Sequence, residues 1–63
     1  MLTITEQLNA EYAAGNFAVI ITQTKQIPVR NRAMIREAKG GVEIQQGKRW
    51  NYAFAYQVKF AHD

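Results

Sequence analysis

The chain has 63 residues, of which 48% are hydrophobic and 21% are charged, and its formal net charge is +3. This composition is too apolar for intrinsic disorder, and the length allows a single small domain over residues 1–63. Without cysteine the chain has neither disulfide bonds nor thiolate metal sites, and its lone histidine, His62, stands next to the last residue. We therefore expect no metal or cofactor, and we expect self-association, most simply a homodimer, to supplement a small core.

Charge is unevenly distributed along the chain. Residues 1–24 carry only Glu6 and Glu11, whereas residues 25–63 carry all eight Lys and Arg against three acidic residues. Such an asymmetry directs an anionic partner towards one side of a small protein. The first residues do not resemble a signal peptide, and the longest apolar run, residues 17–21, is far shorter than a membrane span. We expect a cytoplasmic protein that makes no membrane contact.

The N-terminal segment carries a helix signal. Thr3 and Glu6 match the S/T-x-x-E capping box, in which each side chain bonds the other residue's backbone amide. Apolar residues then recur every four positions, at Ile4, Leu8 and Tyr12. The pattern predicts a helix over residues 4–14, ended by Gly15.

Residues 17–24 predict a strand with apolar side chains on both faces. Phe17, Val19 and Ile21 lie on one face, and Ala18 and Ile20 lie on the other. One short helix covers only one face of a sheet, so the second face needs another cover. A second copy of the chain is the simplest candidate.

Residues 27–37 allow two interpretations. As a strand, they place Arg30, Arg32 and Arg36 on one face and apolar residues on the other. As a helix, Asn31 caps the run 32–39 and Gly40 ends it. The separation of faces favours the strand and local propensity favours the helix. We favour the strand and leave the helix open.

The last third of the chain predicts further strands. Residues 39–41 and 46–48 carry the glycines of tight turns, on either side of an alternating strand over residues 42–46. Residues 50–60 alternate strictly, which places on one face Trp50, Tyr52, Phe54, Tyr56, Val58 and Phe60. We expect this aromatic face to form the core. The predicted fold is α+β, with one N-terminal helix packed on an antiparallel meander of three or four strands.

Residues suited to catalysis are scarce. There is no Cys or Ser to act as a nucleophile, and the few acidic residues lie at positions expected to be solvated or terminal. A core of this size can hardly enclose a pocket that excludes water. We expect no enzymatic activity.

Basic residues offer one candidate binding site. On a strand, Arg30, Arg32 and Arg36 would project from one face at steps of about 7 Å, a spacing that suits successive phosphates. Lys48 and Arg49 at the neighbouring turn would extend the same stripe. Such a face would bind nucleic acid through phosphates, or dock on an acidic protein surface. Trp50 or Tyr52 would add base stacking if exposed at the edge of the core.

Small side chains offer the second candidate site. The predicted outer face of the last strand carries Asn51, Ala53, Ala55 and Gln57. A flat face of this kind lets a partner protein or a second copy approach closely. From size and the lack of catalytic residues we expect a protein-interaction module, an adaptor or inhibitor of the kind that phages and mobile elements encode. The alternative is a small basic nucleic-acid-binding protein.

Overall fold

The computed structural model describes residues 2–62, which form one α-helix, six strands and two 3₁₀ turns. In chain order these are α1 (Ile4–Ala13), β1 (Asn16–Ile21), β2 (Gln26–Val29), the first 3₁₀ turn (Arg32–Met34), β3 (Ile35–Ala38), β4 (Gly41–Gln46), β5 (Arg49–Phe54), the second 3₁₀ turn (Ala55–Gln57) and β6 (Val58–His62). The strands form two antiparallel sheets, a first sheet of order β2-β1-β6 and a second sheet of order β3-β4-β5. The predicted α+β class with an N-terminal helix is confirmed, but the strands form two sheets in place of one meander.

Helix α1 begins at the predicted capping box. The Glu6 amide donates to Thr3 Oγ1 at 3.1 Å, and the Thr3 amide donates to Glu6 Oε1 at 3.0 Å. The bond from the Thr3 amide to the carboxylate, with a smaller contribution from the Thr3 side chain, favours the ionised form and lowers the pKa of Glu6. The helix ends before Gly15, whose φ of 90° lies in the left-handed region that glycine adopts without strain.

The segment 27–37 is neither one strand nor a helix, which corrects our preferred interpretation. It consists of β2, the first 3₁₀ turn and β3. Asn31 begins the turn, since its Oδ1 accepts from the Ala33 amide at 2.9 Å and its carbonyl accepts from the Met34 amide at 2.9 Å. These local bonds compete with a strand ladder. The turn carries the chain from the first sheet to the second.

The predicted strand over residues 50–60 is also divided. The second 3₁₀ turn separates β5, in the second sheet, from β6, in the first. Gln57 fixes this corner, because its Oε1 accepts from the Phe54 amide at 3.0 Å and its Nε2 donates to the Ile21 carbonyl at 3.3 Å. Because of this turn, the side chains that share a face in β5 do not share a face with the residues an even number of positions later in β6.

The central core cluster is aliphatic, although Phe17 of β1 is also buried. The buried members of the cluster come from α1 and from five of the strands: Leu8, Ala18, Ile20, Val29, Ile35, Val42, Ile44 and Ala53. Val58 and Phe60 of β6 pack against this cluster, as their face of the alternation predicts. In β5 the faces are reversed, because Ala53 is 3% exposed whereas Phe54 is 52% exposed. The prediction that the aromatic face of residues 50–56 forms the core is wrong.

Tyr12 joins the helix to the first sheet. Its hydroxyl donates to the Val29 carbonyl of β2 and accepts from the Ala18 amide of β1 at 3.1 Å. Burial raises the pKa of the Tyr12 phenol, and the hydrogen bond from Ala18 partly opposes that shift. One side chain thus satisfies two backbone groups of different strands.

Candidate binding surface

Four aromatic side chains lie along one side of the second sheet and its following turn. We call Trp50, Tyr52, Phe54 and Tyr56 the aromatic row. The first three share the outer face of β5, and the fourth lies in the second 3₁₀ turn. Tyr52 and Tyr56 are 45% and 74% exposed, respectively, and Trp50 is half-buried. Because large aromatic side chains usually supply buried area, a contiguous exposed set is the informative feature of this surface.

The rings of the aromatic row contact one another. Tyr52 and Phe54 meet edge to face, with centroids 5.2 Å apart and planes at 88°. Phe54 and Tyr56 are stacked, with centroids 5.6 Å apart and planes at 8°. The Tyr52 hydroxyl donates to the Lys39 carbonyl at 2.5 Å. These contacts restrict the rings to one arrangement before any partner binds.

The neighbouring strand β4 leaves the row uncovered. Glu43 pairs with Tyr52 and Gly41 pairs with Phe54 in the β4–β5 register. Gly41 has no side chain to lie beside the Phe54 ring, and none fits there. A Cβ at Gly41 would stand 2.1 Å from the Ala53 carbonyl oxygen. The close approach of two backbones therefore demands glycine at this position.

Arg36 of β3 organises the Trp50 end of the row. Its guanidinium lies 3.9 Å from the centroid of the Trp50 ring, and its Nε donates to Glu43 Oε1 at 3.0 Å. Both charged side chains are partly exposed, so the ion pair itself adds at most about 1 kcal/mol to stability. Its main effect is to hold a cation flat against the indole.

Further cations lie close to the row in the chain and in the sheet. Lys48 and Arg49 lie at the β4–β5 turn next to Trp50, and Lys39 lies at the β3–β4 turn whose carbonyl binds Tyr52. The acidic side chain on this outer face, Glu43, is paired with Arg36. The surroundings of the row are thus basic.

The three predicted arginines do not share a face. The guanidinium of Arg30 lies 4.7 Å from the centroid of the Phe17 ring, on the first sheet. Arg32 belongs to the first 3₁₀ turn and donates to Asn9 Oδ1 at 3.0 Å and to the Ile35 carbonyl at 2.7 Å. Arg36 alone of the three reaches the aromatic row. The regular spacing fails because the 3₁₀ turn interrupts the strand on which it depended.

The predicted small-residue face is not one continuous surface: Asn51 and Ala55 are exposed, but Ala53 between them is buried. Ala53 belongs to the core, and the Asn51 amide group donates to Gln46 Oε1 at 2.6 Å. Ala55 and Gln57 lie in the second 3₁₀ turn. The correction has a physical reason: alanine, not an aromatic ring, fits where β5 crosses the closely packed core beside Val42. The alternation predicts the strand β5 correctly, but the inner face of β5 is the one that carries Ala53, not the aromatic one.

An open cleft of about 640 Å³ adjoins the Tyr56 end of the row. It lies between the β1–β2 turn and the second 3₁₀ turn, and its lining includes Thr22, Thr24, Gln57 and Lys59. Its titratable lining residues are Tyr56 and Lys59, and the lining contains no carboxylate or imidazole. Within residues 2–62 no group of three His, Cys, Asp or Glu side chains is placed to hold a metal ion.

The chain has no match in comparisons with protein-family models, curated proteins and solved structures. None of the helices in residues 2–62 has both the length and the apolar character that crossing a membrane requires.

Proposed function

We propose that the protein is a non-enzymatic protein-interaction module that binds its partner through the aromatic row. The observation that carries this proposal is the exposure of Tyr52, Phe54 and Tyr56 as a set of rings in mutual contact. Contiguous exposed apolar patches mark interaction surfaces in soluble proteins. Tyrosine, tryptophan and arginine are the residues most enriched at the energetic centres of protein interfaces.

Rigidity of the row supports the same function. Binding costs free energy when side chains must be immobilised at the interface, about 0.5–1.5 kcal/mol for each flexible one. Ring contacts restrain Phe54, a hydrogen bond restrains Tyr52, and the Arg36 guanidinium restrains Trp50. Much of this cost is therefore met during folding. An adaptor or inhibitor of the phage or mobile-element kind would use such a row to occupy a partner's surface.

Binding of single-stranded nucleic acid is the second candidate. It is favoured by the cations near Trp50 and Tyr52, since such sites combine exposed aromatic rings with a basic path for the backbone. Arg36, Lys48 and Arg49 would then contact phosphates, and Tyr56 would stack on a base. The ion pair with Glu43 and the contact with the Trp50 ring already engage the Arg36 guanidinium that a phosphate would need, which favours the protein partner.

One set of variants separates the two candidates. The doubly substituted Phe54→Ser/Tyr56→Ser protein removes the exposed centre of the row, and Leu2→Ser, which replaces a side chain 61% exposed outside the row, is the matched control. Each form is used to capture proteins from a source-cell lysate. The wild type and Leu2→Ser should capture the same partner, and the double variant should not capture it.

The same proteins are titrated into labelled single-stranded and duplex DNA and RNA at about 50 and 200 mM salt. Nucleic-acid binding that falls steeply with salt and is lost in the double variant would establish the second candidate. A double variant indistinguishable from wild type in both assays would refute both candidates.

A further inference from the structure

Strand β5 leaves one side of its backbone open. It is the last strand of the second sheet, whose order is β3-β4-β5. The Ala55 amide donates to the Gly40 carbonyl at 3.2 Å, which continues the β4–β5 ladder by one residue. In an antiparallel pair the direction of the backbone groups alternates along the strand. Asn51 and Ala53 therefore turn their amides and carbonyls towards β4, and Trp50 and Tyr52 turn theirs away from it.

The open stretch has a defined end. The amide of Phe54, which also points away from β4, is bonded to Gln57 Oε1. Within residues 2–62 no strand pairs with this side of β5. The amides and carbonyls of Trp50 and Tyr52 thus form a short row of four backbone groups beside the aromatic rings.

Edge strands of soluble proteins usually carry a feature that prevents further pairing, such as proline or charge. The edge strand β2 contains Pro28, β6 contains Lys59, and the four-residue β3 contains Arg36 and Glu37 and contacts α1. In β5, residues 50–54 contain neither proline nor a charged side chain. In β5 the charged residue, Arg49, is the first of the strand, so β5 is the edge strand in the described part of the chain whose interior, residues 50–54, carries no such protection.

We propose that β5 accepts an extended, acidic peptide segment of the partner protein as an additional strand. The inference rests on the proposed function and specifies its binding mode. An added strand would bond the four open backbone groups of Trp50 and Tyr52, and its alternate side chains would lie beside the aromatic row.

The basic residues near the open stretch of β5 indicate the charge of the strand that is added there. Lys48 and Arg49 stand at one end of the open stretch and Lys39 at the other, so acidic side chains on the added strand are attracted at both ends. A second copy of the chain also has a net charge of +3, and its β5 contains Arg49 and no acidic residue. Pairing of two β5 strands would therefore bring basic surfaces together.

A displayed library of random twelve-residue peptides supplies the probe. We expect the selected peptides to combine Asp or Glu with alternating apolar residues. One selected peptide is then added to ¹⁵N-labelled protein, and amide hydrogen exchange is measured residue by residue. The Trp50 and Tyr52 amides should exchange at least tenfold more slowly with peptide, while the Asn51 and Ala53 amides, already bonded to β4, should change little.

Backbone chemistry supplies the matched controls. Peptides N-methylated at every second position are made in both phases. One phase should bind at least tenfold more weakly and the other should bind normally, because only alternate amides of the added strand face β5. On the protein, Trp50→Pro and Trp50→Ala both remove the indole, but only proline removes the amide. Binding should be at least tenfold weaker for the proline variant, and the N-methylated peptides give the same test if that variant does not fold.

The outcomes separate the two proposals. Peptides that need Phe54 and Tyr56 but bind equally in both N-methylated phases, without protection of Trp50 and Tyr52, would overturn strand addition and leave the protein-interaction function standing. Protection that grows with protein concentration alone would show that a second copy occupies β5, and would overturn the peptide proposal. The protein-interaction function itself would be refuted by two results together: no selected peptide depends on the aromatic row for binding, and nucleic acid binds at that row.

Discussion

Substitution of two adjacent residues of β5, Phe54 and Ala53, tests which face of the strand supports the fold. Truncating a core phenylalanine to alanine costs about 3–5 kcal/mol. Phe54 is 52% exposed, so only about half of the ~3 kcal/mol gained by burying a whole phenylalanine is lost. The ring contacts with Tyr52 and Tyr56 lie at the surface and contribute a few tenths of a kcal/mol more. We expect Phe54→Ala to lower the free energy of unfolding by about 1.5–2 kcal/mol.

Ala53→Asp should behave in the opposite way. Ala53 is 3% exposed among aliphatic neighbours, so a carboxylate there would be buried without a partner at a cost of several kcal/mol. At roughly 0.05–0.15 kcal/mol per residue, a chain of this length has a total stability of about 3–9 kcal/mol. We expect Phe54→Ala to remain folded and Ala53→Asp to be largely unfolded.

Urea unfolding followed by far-ultraviolet circular dichroism and by the fluorescence of Trp50, the single tryptophan, measures both effects. Phe54→Ala should lower the midpoint without changing the slope. A folded Ala53→Asp protein together with a loss above 3 kcal/mol for Phe54→Ala would show that the aromatic face is the inner one. That result would refute the assignment of the binding surface.

Three further substitutions test the backbone geometry and the hydrogen bonds. Gly41→Ala should lower the free energy of unfolding by about 2 kcal/mol or more, measured by urea unfolding, because the new Cβ would collide with a backbone carbonyl 2.1 Å away. Thr3→Ala removes the side-chain half of the capping box and should cost about 1 kcal/mol in the same assay, and NMR titration should then show the pKa of Glu6 rising only part of the way towards its ordinary value, because the backbone amide of residue 3, the larger cause of the shift, is retained. Because the folded state raises the pKa of Tyr12, its contribution is complete below the ordinary tyrosine value of about 10 and is lost as pH rises through the folded pKa. Tyr12→Phe should cost about 1–3 kcal/mol at pH 7, and the difference from wild type should shrink in strongly alkaline solution, as thermal unfolding across pH would show.

Local signals predicted the helix and the turns well. The capping box at Thr3 and Glu6, the stripe ending at Tyr12 and the stop at Gly15 depend on bonds within a few residues, so sequence spacing is sufficient to identify them. Gly40 and Gly47 likewise take positive φ at the predicted tight turns. In each case the determining interaction is short-range.

The failures concern long-range packing. Strict alternation in residues 50–54 identified a strand but not its inner face, since both an aromatic and an alanine face can be buried. The second 3₁₀ turn depends on Gln57 reaching the Ile21 carbonyl, 36 residues away in the chain, and spacing gives no sign of such a contact. Asn31, recognised as a helix cap, in fact begins the first 3₁₀ turn. Both predicted binding surfaces, the arginine face and the small-residue face, required an uninterrupted strand. The two 3₁₀ turns divide those strands, so neither surface forms as predicted.

The exposure of the aromatic row allows folding and binding to be separated by experiment. The core cluster of residues 2–62 is aliphatic, with Leu8, Ile20, Ile35 and Val42 as its largest fully buried members. Tyr56 is 74% exposed, so replacing it removes little of the buried area that stabilises the chain. In many small domains the aromatic residues serve core and interface together, and their replacement abolishes both. Here loss of binding in a Tyr56 variant that unfolds at the wild-type urea concentration can be assigned to the surface alone.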